Sequence, residues 1–179
     1  MRNYLGVVTV ALLSAISVWS QAVPASSIPK PVAAAPAANV REKFDPARDP
    51  KTDLEKAIKA AATGNKNIII DLGGEWCGWC VFMDKFFVQN PELAKIRDDN
   101  FVWVKVNYSE ENKNTAFLAA YPAAAGYPHL YVLDQTGKLL HSEDTSVLEM
   151  GKGYDPVKFA EFLKEWSPKP CTVDQPPVK

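Results

Sequence analysis

Apolar side chains recur along this chain at changing intervals, and the intervals predict its elements. Leu54, Ala57, Ile58 and Ala61 repeat at helical spacing, and Gly64 stops that helix. Asn67 to Leu72 carries Ile68, Ile69 and Ile70 in succession, the pattern of a short strand buried on both faces. Residues 78–89 read as a helix, and a second short helix starts at Pro91, where proline is tolerated. Phe101 to Asn107 alternates large apolar residues with others and reads as a strand. Residues 111–121 read as a helix that ends before Pro122. Residues 130–133 and 138–141 flank the turn signal Asp134-Gln135-Thr136-Gly137 and predict a hairpin. Phe159, Phe162, Leu163 and Trp166 give a last amphipathic helix. The order α-β-α-β-α-β-β-α predicts an α/β fold with parallel pairing and an antiparallel part from the hairpin.

The ends read differently. Arg2, the apolar run from Leu5 to Trp19, and Ser20-Gln21-Ala22 with small residues at the cleavage positions read as a secretory signal peptide over 1–22. The run is short for a membrane span, although an uncleaved anchor is the alternative reading. Six of the 14 prolines fall in residues 23–50, among Ala-rich stretches, and four more lie in 168–179. The expected organisation is therefore a signal peptide (1–22), a Pro/Ala-rich linker (23–49), one folded domain (50–167) and a Pro-rich tail (168–179). A length of 179 residues fits that single domain with tails. A net charge of −1 argues against an electrostatic nucleic-acid binder. Three cysteines are too few for a disulfide-stapled mini-protein, and one is left over whatever pairs. Export would place the chain in an oxidising compartment, periplasmic or secreted.

The candidate chemistry is Glu75-Trp76-Cys77-Gly78-Trp79-Cys80. A CxxC pair alone is weak evidence. At a strand-to-helix junction within a βαβ pattern it is a redox signature. The first cysteine sits at a helix N-terminus, where free N–H groups and the macrodipole favour a thiolate. The second lies one turn on, close enough to attack a mixed disulfide. Gly78 is expected to keep the turn unobstructed, and Trp76 and Trp79 to shield the pair and form an apolar lip for a partner chain.

In residue type and spacing, the segment from Asp71 to Cys80 resembles the active site of the thioredoxin superfamily. Trp79 stands where thioredoxin has proline, and the CGWC form is similar to exported single-domain thioredoxin-like proteins. Gly126-Tyr127-Pro128-His129-Leu130, followed by Tyr131-Val132-Leu133, resembles the family's cis-proline loop and the strand after it, with His129 in place of the usual threonine. The resemblance covers about residues 50–166. It implies a central mixed sheet flanked by helices, dithiol–disulfide exchange with protein substrates, and no organic cofactor. It also implies roles. Cys77 would be the nucleophile and Cys80 the resolving thiol. Asp71 would be a buried proton acceptor beneath the pair, with Lys105 as its partner. Pro128 would be the cis-proline facing the disulfide, leaving the Tyr127 backbone free to bond an extended substrate segment.

Blander readings stand beside these. Cys77 and Cys80 could form a structural disulfide or half a zinc site, although Cys171, His129 and His141 show no paired ligand spacing, so no metal site is expected. Asp71 could be a strand-end residue, Lys105 a snorkelling one and Pro128 an ordinary turn proline. His129 reads as a satisfied polar residue, His141 as surface and Cys171 as a free thiol. Phe82, Phe86, Phe87, Trp103 and Phe117 read as core. Glu143-Asp144 reads as a solvated loop, within a stretch (142–154) long enough to form part of a substrate rim. The function expected is an exported thiol–disulfide oxidoreductase that reduces protein disulfides, needs no cofactor, and is recharged by a redox partner such as a membrane-bound electron donor. The second reading is a binding module that holds a partner protein or a soft metal such as copper at the CGWC surface with little turnover. A folding helper or isomerase would need dimerisation. No dimerisation segment is found, so a monomer is expected.

Overall fold

The computed structural model describes residues 41–169. The signal segment read at 1–22, most of the linker, and Cys171 in the tail lie outside the described residues. Helix α1 (Pro50–Gly64) is followed by strand β1 (Asn67–Gly73), helices α2 (Gly78–Gln89) and α3 (Pro91–Asn100), strand β2 (Phe101–Asn107) and a single helical turn, α4 (Thr115–Leu118). Strands β3 (His129–Leu133) and β4 (Leu139–Asp144) form the hairpin. A 3-10 turn (Thr145–Leu148), the short strands β5 (Glu149–Met150) and β6 (Gly153–Tyr154), and helix α5 (Pro156–Glu165) complete the unit.

The main sheet runs β2-β1-β3-β4. β1 pairs parallel with β2, setting Asp71 opposite Lys105, and antiparallel with β3, setting Leu72 opposite His129. Every residue of β1 is buried, as its unbroken isoleucine run requires. Strand alternation divides the core between the two faces. Ile69, Leu130 and Val132 pack with Met83, Phe86 and Phe87 of α2 and with Phe159, Phe162 and Leu163 of α5. On the other face Ile68, Ile70, Leu72, Val104, Val106 and Tyr131 pack with Ala57 and Ala61 of α1. The apolar spacing of α2 and α5 therefore lies on one side of β1 and that of α1 on the other.

The helix ends follow capping chemistry. The Asp49 carboxylate accepts from Lys51 N–H before Pro50 opens α1, and Asn65, at φ 50°, closes it in the left-handed conformation. Asp155 caps α5 in the same way before Pro156.

Three stretches differ from the sequence expectation. The helix read over 111–121 contracts to Thr115–Leu118. Asn114 takes φ 47°, and the loop before it is held by its own bonds: Ser109 N–H and the Asn107 amide both donate to the Asn112 carbonyl. Glu143 and Asp144 lie half-buried on β4, where Asp144 accepts from Ser146 N–H, rather than in a solvated loop. Residues 41–49, read as the end of a linker, pack against the domain and bury Phe44 to 2% exposure.

Phe159 is the hub of the larger core cluster. It is fully buried, with ring centroids of Phe87, Phe86 and Tyr154 at 5.1, 5.3 and 5.5 Å. Truncation to alanine should lower the unfolding free energy by about 3–5 kcal/mol, measured by urea denaturation. A loss under about 1 kcal/mol would contradict this packing.

Candidate active site

Cys77 is the N-cap of α2. It holds extended backbone angles (φ −85°, ψ 107°), and its sulfur accepts from Cys80 N–H at 3.1 Å. The two cysteines form a disulfide with Cα atoms 5.2 Å apart, and both are buried, at 4% and 1% exposure. The same N–H and the helix N-terminus would stabilise a thiolate at Cys77 once the bond is reduced.

The glycine that the disulfide requires is Gly73, not Gly78. A Cβ on Gly78 would meet nothing, so the expected need for an unobstructed turn at that position does not hold. A Cβ on Gly73 would lie 2.5 Å from Cys80 Sγ and 3.1 Å from the Phe44 ring. The end of β1 therefore passes directly against the Cys80 sulfur. Asp71, two residues earlier, projects to that same face of the strand.

Asp71 is 1% exposed. Its Oδ2 accepts from Lys105 Nζ and from Trp103 Nε1, both at 3.1 Å, while its Oδ1 has no partner. Burial pushes the Asp71 carboxyl above the usual carboxylate range, against the attraction of Lys105. Lys105 Nζ also donates to Asp84 Oδ1 at 2.7 Å and lies 4.0 Å above the Phe44 ring. Burial alone would lower the Lys105 ammonium; Asp71 and Asp84 together outweigh it and raise it. Asp84 in turn accepts from Arg41 at 3.0 Å, and Arg41 also pairs with Glu75. Glu75 accepts from Phe44 N–H at 2.9 Å, and its carboxyl is held low by Arg41.

The exposed side of the site is aromatic. Trp76 is 58% exposed, donates to the Tyr108 carbonyl at 2.6 Å, and meets the edge of Tyr127 at 5.5 Å. Tyr108 stacks on Tyr127 at 5.0 Å. The Tyr127–Pro128 bond is cis. Burial raises the Tyr127 phenol to about 12, so it stays neutral over the working pH range. Trp79 turns inward to Phe82 and Tyr154, at 5.7 and 5.4 Å, leaving Trp76 as the exposed part of the lip.

His129 is buried beside Pro128. Its Nε2 meets Ser142 Oγ at 2.8 Å, its Nδ1 has no partner, and burial lowers its pKa. His141 is half-buried, stacked on Trp166 at 4.4 Å and bonded to Glu143, rather than free on the surface.

The structure thus brings Cys77, Cys80, Asp71, Lys105, Trp76, Tyr127 and Pro128 to one end of the sheet. Sequence reasoning missed Asp84, Gly73, Arg41 and Phe44. Asp84 stands four residues after Cys80, on the same helical face, and that spacing was its available signal.

Comparison with known proteins agrees with this fold. A family model described as thioredoxin-like matches residues 49–135. The crystal structure of a disulphide isomerase from Xylella fastidiosa Temecula1 superposes with a TM-score of 0.59 at 22% identity, covering 68% of this chain and 94% of that one. Among curated proteins, the chain is 35% identical over 78 residues to an uncharacterized protein of Caenorhabditis elegans, covering 41% of this chain and 11% of that protein. It is 26% identical over 94 residues to the thiol:disulfide interchange protein DsbD of Colwellia psychrerythraea, covering 52% of this chain and 15% of that protein. The chain thus spans only a small part of the length of the curated relatives it matches.

The buried Asp71 gives a signed prediction. Its folded pKa lies above the 3.8 of an ordinary aspartate, so the native state binds its proton more tightly than the unfolded state. Its contribution to stability therefore falls as pH rises from about 4 toward the folded pKa. Asp71→Asn removes this term. Urea titrations should show the stability of the variant relative to the parent growing as pH rises through that window. A pH-independent difference would contradict a raised Asp71.

Proposed function

We propose, for a chain that belongs to the thioredoxin superfamily, that it is an exported thiol–disulfide oxidoreductase acting on protein disulfides through Cys77 and Cys80. The observation that carries this reading is the buried Cys77–Cys80 disulfide at the N-cap of α2, packed against the strand that holds the sealed carboxylate of Asp71. A structural staple would have no use for a buried, under-bonded acid at its back.

In the reducing direction, the Cys77 thiolate attacks one sulfur of a substrate disulfide. That bond breaks, a mixed disulfide forms, and the first substrate sulfur leaves as a thiolate. The Cys80 thiol then gives its proton to the Asp71 carboxylate and attacks Cys77 Sγ, releasing the second substrate sulfur. Two electrons pass from the protein dithiol to the substrate, and Cys77–Cys80 is again oxidised. Lys105 stabilises the Asp71 anion before it takes the proton. The exposed Trp76 and the backbone of Tyr127 beside Pro128 receive an extended substrate segment, with Gly78 and Trp79 bordering it.

A dithiol partner must restore the reduced pair, and a membrane-bound donor suits a protein outside the cytoplasm. Export rests on the apolar run Leu5–Trp19 and the small residues before position 23. The domain acts as a monomer, between the linker read from 23 and the tail read from 168.

Two variants test the mechanism in an insulin-reduction assay driven by dithiothreitol. Cys77→Ser should fall to the uncatalysed background. Cys80→Ser should accumulate mixed disulfides with substrate, visible as adducts on non-reducing gels. Turnover that survives the loss of Cys77 would overturn the proposal.

A further inference from the structure

Phe44 is one bulky side chain that the mechanism above leaves without a role. It comes from the arm before α1, yet it is 2% exposed and clusters with Cys77 and Cys80. Its ring tip is in contact range of Gly73, beside Cys80 Sγ, and its face lies 4.0 Å from Lys105 Nζ. The arm is fastened on both sides of that ring. Arg41 pairs with Glu75 and Asp84, and Phe44 N–H donates to Glu75. Downstream, the Asn112 amide donates to the Pro46 carbonyl at 2.8 Å.

Solvent comes close on the neighbouring side. A cleft of about 660 Å³ is lined by Arg41, Asp84, Trp103 and Lys105. Trp103 and Lys105 are the two donors on Asp71 Oδ2, and they stand between the cleft and the carboxylate. Phe44 packs its ring against the same Lys105 and clusters with Cys77 and Cys80.

We propose that Phe44 is a positioning residue for the exchange reaction, walling Cys80 and Asp71 off from water so that the Cys80 proton passes to Asp71 inside the protein. This rests on the reading of Asp71 as proton acceptor. The charged and titratable groups around Asp71 are Lys105 on β2, Asp84 on α2 and the Tyr154 phenol on β6, with Arg41 and Glu75 one step further out. Phe44 adds no charge to this set. It excludes water, and a dry surround is what makes a carboxylate a stronger base. With the ring removed, water would hydrate the anion, Asp71 would become a weaker base, and Cys80 would lose its proton more slowly.

The test is a single-turnover experiment on the full chain. Reduced protein is mixed with glutathione disulfide across a pH series, quenched with acid, and the mixed disulfide followed by mass spectrometry. Its formation reports Cys77, and its decay reports Cys80 with Asp71. Phe44→Ala should leave formation within about twofold of the parent, slow decay by about tenfold near neutral pH, and move the inflection of the decay profile down by about one pH unit. Phe44→Leu, which refills most of the space, should restore the parent inflection. If circular dichroism shows that the alanine variant is unfolded, Phe44→Val replaces it and should give the same shift at smaller size. A folded Ala or Val variant with the inflection unmoved would overturn the proposal, even if decay slowed uniformly, because Phe44 would then be packing alone. A parent protein that captures no glutathione would instead overturn the oxidoreductase reading, and this inference with it.

Discussion

A carboxylate sealed inside a protein must find a partner or take up a proton, and the Asp71–Lys105 pair is where this fold meets that demand. The parallel register of β1 and β2 sets the two residues opposite each other near the C-terminal ends of both strands. Much of the surrounding architecture compensates for burying them. Trp103 supplies a second donor to Asp71, Asp84 a second acceptor to Lys105, and the Phe44 ring a π face for the ammonium. Arg41 then neutralises Asp84 and carries the chain of charges to the surface. One oxygen of Asp71 is still left without a partner. An unsatisfied buried acceptor costs about 1–3 kcal/mol, which a purely structural site would have no reason to keep.

The disulfide depends on the same strand. β1 ends in Gly73, the only residue type that lets the chain pass Cys80 Sγ at this distance. The next turn delivers Cys77 to the N-cap of α2, where one backbone N–H already points at its sulfur. A helix N-terminus thus favours negative charge at Cys77, while the apolar enclosure behind it favours a protonated acid at Asp71. Cys77 and Asp71 are thereby given opposite environments within one short segment.

Much of this was legible in the sequence because the signals are local. The isoleucine run, the alternation of Phe101 to Asn107 and the CGWC spacing each report a neighbourhood of a few residues. The helix read over 111–121 was too long because Asn112 and Asn114 lie inside that range, and their side chains prefer loop bonds to a helix. The arm was hidden for a different reason. Phe44 is a lone aromatic in a polar, proline-bearing stretch, and its contacts are with residues more than 25 positions away. No periodicity reports such a contact. Asp84 was within reach of sequence reasoning, since it falls one helical turn beyond Cys80.

The central claim is that Cys77 and Cys80 exchange rather than staple. The most direct measurement is the equilibrium titration of that pair against glutathione or dithiothreitol buffers of defined potential. An exchanging pair should titrate reversibly as a two-electron couple between about −270 and −120 mV, the range spanned by thioredoxin and DsbA. A bond that stays closed to below about −300 mV would be a structural disulfide and would contradict the claim.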